Sequence, residues 1–117
     1  ANRRKQLPVV KPSDKMSEVL LTITQKNLGR AIIVDGQNTP LGIITDGDLR
    51  RHMGDDLLNQ PAESVMSKAP KTIDAHALAA EALEEMQRFK ITAICVVENK
   101  QLVGMIHIHD LLREGVA

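Results

Sequence analysis

Two short strings in this chain carry residue types that can hold an anionic ligand, Thr45-Asp46-Gly47-Asp48 and His107-Ile108-His109-Asp110. Each opens on a side chain able to hydrogen-bond and places a carboxylate three residues on. Each also follows an apolar run that starts with glycine, Gly42-Ile43-Ile44 and Gly104-Met105-Ile106, so each lies where a strand runs into a helix. A helix start offers unpaired N–H groups and positive partial charge, which suits phosphate. The Thr45 hydroxyl at such a junction can add a hydrogen bond to that phosphate, and the Asp48 carboxylate can accept from both hydroxyls of a ribose. A plainer reading stands beside this one. Thr45-x-x-Asp48 also fits a capping box, in which the two side chains simply close the helix start. In the second string His107 replaces the threonine while Asp110 stays in register, and a carboxylate kept without its capping partner suggests a further job.

Other polar residues have competing readings. His107 and His109 alternate as on one strand face, and two imidazoles so spaced could hold a metal. No third ligand is evident near them, because Cys95 lies inside an apolar run. Arg50, Arg51 and Arg113 could clamp phosphate; arginines in short exposed helices are also often solvated or paired with aspartate. Arg30 precedes an apolar strand and is placed to point into a cleft. No nucleophile–base pair or carboxylate dyad is visible, so no catalytic residue is assigned. The methionines read as core filler.

The elements that must position these strings occur twice. Shifting the chain by 62–63 positions lays Leu28 to Asp35 on Ile91 to Glu98, and Gly42 to Leu49 on Gly104 to Leu111. Met16, Val19, Leu20 and Ile23 form one helical stripe, and Ala79, Ala82, Leu83 and Met86 form its counterpart. Residues 31–34 and 41–45, and then 93–97 and 102–107, read as strand pairs joined by turns at Asp35-Gly36-Gln37-Asn38 and Asn99-Lys100. Short apolar runs at Leu7 to Val10 and Lys71 to Ile73 open the halves. Residues 46–53 and a last turn near Gly115 close them as helices, and Glu63 to Met66 is a further short helix. Each half is thus β-α-β-β-α with a three-stranded sheet. The fold class is α+β, two pseudo-symmetric halves packed sheet to sheet with a cleft between them.

Composition narrows the function. Lys+Arg and Asp+Glu both total 15 in 117 residues, so no net field favours nucleic acid or an anionic membrane. Phe89 is the only aromatic residue, which removes the stacking platforms of single-strand binders. The lone Cys95 fits a reducing cytosol and a cytoplasmic location. No apolar stretch approaches the roughly 20 residues of a membrane span. The polar, basic opening Ala1 to Gln6 reads as a cut inside a linker.

Two β-α-β-β-α copies, each ending Gly-φ-φ-x-x-x-Asp-Leu, resemble a tandem CBS-domain pair, a Bateman module. The strings Thr45-Asp46-Gly47-Asp48-Leu49-Arg50-Arg51 and His107 to Gly115, with Leu28-Gly29 and the closing Gly115-Val116, are similar to the C-terminal CBS pair of KpsF/GutQ-type arabinose-5-phosphate isomerases. The resemblance covers the whole chain and implies residues 1–6 as linker from an upstream sugar-isomerase (SIS) domain, 7–57 as the first CBS repeat, 58–69 as the connection and 70–117 as the second repeat. It implies a regulatory module that binds a nucleotide or nucleotide sugar, with AMP, ATP or CMP-Kdo as candidate ligands and no required cofactor. The ligand set it implies is Val10, Arg30, Ala31, Thr45, Asp46, Asp48 and Arg51 in the first repeat, and Ile73, Thr92, Ala93, His107, His109 and Asp110 in the second. Within it Thr45 is the phosphate contact, and Asp48 and Asp110 are the ribose contacts. His107 departs from the Ser or Thr usual in CBS pairs. The resemblance also implies a homodimer, with Leu49, Leu111 and Leu112 near the partner. The other readings are a ligand-free structural module gluing subunits together, or a CBS pair from another host enzyme.

Overall fold

Ala31-Ile32-Ile33-Val34 is β-branched in all but its first residue, too stiff at χ1 to favour helix and well suited to a buried strand. In the computed structural model, which describes residues 7–26, 29–54 and 56–113, it is the centre of the first of two units. The division falls between Pro70 and Lys71.

In the first unit β1 (Val9–Val10) leads into helix α1 (Met16–Lys26), then β2 (Ala31–Val34), β3 (Pro40–Ile44) and helix α2 (Asp46–Arg51). A short 3-10 turn at Leu57–Asn59, helix α3 (Ala62–Val65) and β4 (Ser67–Lys68) follow. The sheet order is β1-β2-β3-β4. The α1 crossover makes β1 parallel to β2, whereas β3 is antiparallel to both its neighbours. The stripe read from the sequence faces the core: Met16 and Val19 are fully buried, and Ile23 packs at the margin. Ala31, Ile33 and Ile44 meet them from the sheet, and Ala62 and Val65 from α3. Beyond α1, Gly29 takes φ +71°, the left-handed turn that commonly ends a helix.

In the second unit β5 (Thr72–Asp74), helix α4 (Ala79–Arg88), β6 (Ala93–Glu98), β7 (Gln101–His107) and helix α5 (Ile108–Arg113) repeat the plan. β5 runs parallel to β6, and β6 antiparallel to β7. Ala82, Leu83, Met86, Ile94 and Leu111 form this unit's own core. Asn99 and Lys100 both have positive φ, 52° and 69°, as a two-residue hairpin turn matched to strand twist requires. The internal repeat extends to irregularities, because the register shifts between Ile33 and Val34 and again between Val96 and Val97.

The structure departs from the sequence reading in three places. The first unit's sheet has four strands, not three, because β4 pairs with β3 through Gly42–Lys68 and Ile43–Ser67. Segment 58–69, read as a connection, thereby packs onto the first unit through α3 and β4. Helix α2 stops at Arg51, two residues short of Met53, which is 68% exposed and so gains no burial by continuing it. Residues 1–6, Leu28, Gly115 and Val116 lie outside the described residues.

Candidate functional site

The register brings most of the sequence-predicted residues of each unit to one end of its sheet. Ala31 at the start of β2 pairs with Ile44 at the end of β3, so Arg30 and Ala31 lie beside the junction that carries Thr45, Asp46 and Asp48. In the second unit Ala93 pairs with His107, and Thr92 accepts the Ile108 N–H at 2.7 Å. Val10 and Ile73 stand farther along their sheets, opposite Ile33 and Val96.

At the first junction the extended backbone of Thr45 starts α2, and Thr45 with Asp48 forms a capping box. Asp48 Oδ2 accepts from Thr45 N at 3.0 Å and from the Thr45 hydroxyl at 3.2 Å. Oδ1 accepts from the Ser67 hydroxyl at 2.6 Å and from the Arg51 guanidinium. A carboxylate offers about four acceptor positions, and here all are met by groups of the same unit. Asp48 is also 2% exposed, the buried charged residue among those described. A buried carboxylate needs such saturation, since a charge moved out of water without partners costs many kcal/mol. The capping reading therefore holds at this position. A ribose diol reaches Asp48 only by exchanging with one of these donors, and the Thr45 hydroxyl turns to a phosphate only by leaving the carboxylate.

At the second junction Asp110 pairs, among the described residues, with Arg113, and its side chain is 44% exposed. Lying on the surface, this pair contributes little stability but leaves acceptor positions open to solvent. His107 takes over part of the missing threonine's work. Its Nδ1 accepts the His109 N–H at 3.2 Å, which caps the start of α5 and leaves the proton of the neutral ring on Nε2. The two imidazoles stack, with centroids 4.8 Å apart. Among the described residues no three His, Cys, Asp or Glu side chains gather as a metal site.

The arginines divide. Arg51 and Arg113 pair with the aspartates three residues before them, one in each unit. Arg50 is exposed, and Asp46 lies exposed in the first turn of α2. Sequence reading missed Ser67. It stands 19 residues from Asp48, and only the pairing of β4 with β3 brings it there.

Two α+β units, each closing a β-hairpin on a short helix that carries an aspartate, are the signature of a CBS pair. The chain belongs to the CBS-domain family, which matches over residues 3–55 and 62–117. In particular it is similar to arabinose 5-phosphate isomerase KdsD of Yersinia pestis, 42% identical over 113 residues, or 95% of this chain and 34% of that protein. KdsD of Escherichia coli K12 is 41% identical over 113 residues, again 95% of this chain and 34% of that protein. The chain thus spans about a third of the length of these curated relatives. Among solved structures, CBS domain protein PAE2072 from Pyrobaculum aerophilum, complexed with AMP, superposes with a TM-score of 0.80 at 23% identity, covering 95% of this chain and 90% of that one. At that identity the likeness establishes the fold.

Proposed function

We propose that this chain is the nucleotide- or nucleotide-sugar-sensing CBS pair of an arabinose-5-phosphate isomerase, regulating a catalytic SIS domain of the same protein. The observation that carries this reading is the 42% identity to KdsD across 95% of the chain. The AMP complex of a protein with the same fold supports a nucleotide as the ligand class. Thr45 then contacts phosphate, and Asp48 and Asp110 the ribose hydroxyls. The remaining contacts come from Val10, Arg30, Ala31, Asp46 and Arg51, and from Ile73, Thr92, Ala93, His107 and His109. Regulation follows from linkage: a ligand that binds one arrangement of the protein more tightly shifts the attached enzyme by that difference in affinity. CMP-Kdo, end product of the pathway that arabinose 5-phosphate feeds, would make the module a feedback sensor in the cytoplasm.

The test is thermal unfolding with AMP, ATP, CMP and CMP-Kdo. A ligand at 100 times its Kd adds about 2.7 kcal/mol, a shift of several degrees for a chain this size. If Asp48 holds a ribose, Asp48→Ala removes charge-assisted hydrogen bonds worth about 1.5–3 kcal/mol and weakens binding roughly 10- to 100-fold. One observation favours a second reading, a ligand-free structural module: the Asp48 carboxylate is saturated by Thr45, Arg51 and Ser67. No shift with any of the four nucleotides would establish that reading in place of the first.

A further inference from the structure

The Ser67 hydroxyl reaches the Asp48 carboxylate from an unusual place. Ser67 is exposed, on the edge strand β4, which is two residues long and hydrogen-bonds to β3 along one side only. Such a strand has little to hold it, since its backbone bonds are solvent-exposed and it buries almost no apolar surface. What fixes it is the fit at Gly42, where an added Cβ would lie 2.8 Å from the Ser67 carbonyl and would collide with Met66. The other anchor is the 2.6 Å bond from the Ser67 hydroxyl to Asp48 Oδ1, short as expected for a hydroxyl donating to a carboxylate. Along the chain, β4 is followed by Ala69 and Pro70, and then by the first residue of the second unit. Among the described residues Asp110 has no such partner; only Arg113 holds it.

We propose that Ser67 is a latch on the first of the two sites: a ligand presenting a vicinal diol takes Asp48 Oδ1 from the Ser67 hydroxyl and thereby releases β4. This rests on the reading that Asp48 accepts a ribose, and it adds the residue that sets that site's affinity and carries its occupancy to the connecting segment. The exchange conserves hydrogen bonds, one hydroxyl donor replacing another on the same oxygen, so the ligand's net gain is reduced by the bond it breaks. Removing the competitor without touching the ligand's own contacts must therefore tighten binding. Loss of a merely structural bond would weaken it or leave it unchanged.

The experiment is calorimetric titration of the 117-residue chain with AMP and with 2′-deoxy-AMP, on the wild type and on Ser67→Ala, Ser67→Thr and Asp48→Ala. The expected result is AMP binding about tenfold tighter in Ser67→Ala, the loss of one competing charge-assisted hydrogen bond. Ser67→Thr keeps a hydroxyl and should keep wild-type affinity, and the deoxynucleotide, lacking the diol, should gain less from Ser67→Ala. In the wild type, saturating AMP should speed hydrogen exchange at the Lys68 and Ala69 amides, a readout that needs no variant to fold. Weaker AMP binding in Asp48→Ala together with unchanged or weaker binding in Ser67→Ala overturns the latch and leaves the ribose assignment standing. The same AMP response in Asp48→Ala as in the wild type overturns the ribose assignment, and the latch falls with it.

Discussion

Asp48 and Asp110 occupy the same place in the two repeats, yet their surroundings make them different chemical groups. Asp48 is buried and carries donors from three residues, whereas Asp110 is half exposed beside one arginine. The first therefore contributes to stability in a way the second cannot. Losing the cap costs about 0.5–2 kcal/mol and losing a charged long-range hydrogen bond about 1.5–3 kcal/mol. Asp48→Ala should accordingly destabilise the protein by roughly 2–5 kcal/mol, values that add only approximately between neighbours. Asp110→Ala should stay under about 1 kcal/mol, as exposed pairs do. Urea unfolding of both variants checks this, and equal losses would mean that Ser67 does not engage Asp48 in solution. The sequence placed both carboxylates correctly at helix starts. It could not rank their availability, because burial and the reach of Ser67 are properties of the packed unit.

Gly42 and Gly104 likewise correspond in the repeat but face different neighbours. A Cβ at Gly42 would lie 2.8 Å from the Ser67 carbonyl, while one at Gly104 would meet nothing closer than Val96 Cβ at 3.9 Å. Gly42→Ala should therefore cost about 1–3 kcal/mol through overpacking, with hydrogen exchange accelerated at Lys68 and Ala69. Gly104→Ala should be neutral or stabilising by up to about 1 kcal/mol, because glycine in a strand carries an entropic cost. Thermal melts of the two variants decide it, and a loss at Gly104 matching that at Gly42 would contradict the packing of β4 on β3. Most of the remaining elements were legible beforehand within a residue or two, since α1, α4 and the two hairpins follow apolar periods of 3.6 and 2. Strand β4 was not. Two polar-edged residues have no period, and their pairing depends on a glycine 25 residues earlier in the chain.

At the scale of the molecule, each unit has its own apolar cluster, built from Ile, Val, Leu, Met and Ala with no aromatic residue in either. Met16 and Met86 are fully buried at the centres of these clusters, so Met16→Ala and Met86→Ala should each cost about 2–5 kcal/mol by leaving a cavity. Calorimetric melts of both variants test this, and a loss below about 1 kcal/mol would mean that the site collapses without a void. For the proposed homodimer the structure alters which leucines are available. Leu111 is 5% exposed and belongs to the second unit's core, Leu49 packs on the first unit's core, and Leu112 is 49% exposed. Light scattering at high micromolar concentration should show a dimer, and Leu112→Asp should shift it to monomer without lowering the melting temperature. A monomer at that concentration would end the dimer proposal.

The sequence alone determined the twofold repeat, the α+β class, the helical stripes and the two aspartates at helix starts. These are encoded in spacing between near neighbours, which backbone geometry turns directly into faces and turns. The structure chose among local readings when it paired Arg51 and Arg113 with the aspartates three residues before them and set His107 on the start of α5, whereas tertiary packing alone decided that Ser67 closes over Asp48. A side chain's partner is chosen by which groups the packed sheet brings within hydrogen-bond reach. Ser67 and Asp48 are 19 residues apart in the chain, and the pairing of β4 with β3 brings them together where no local pattern records it.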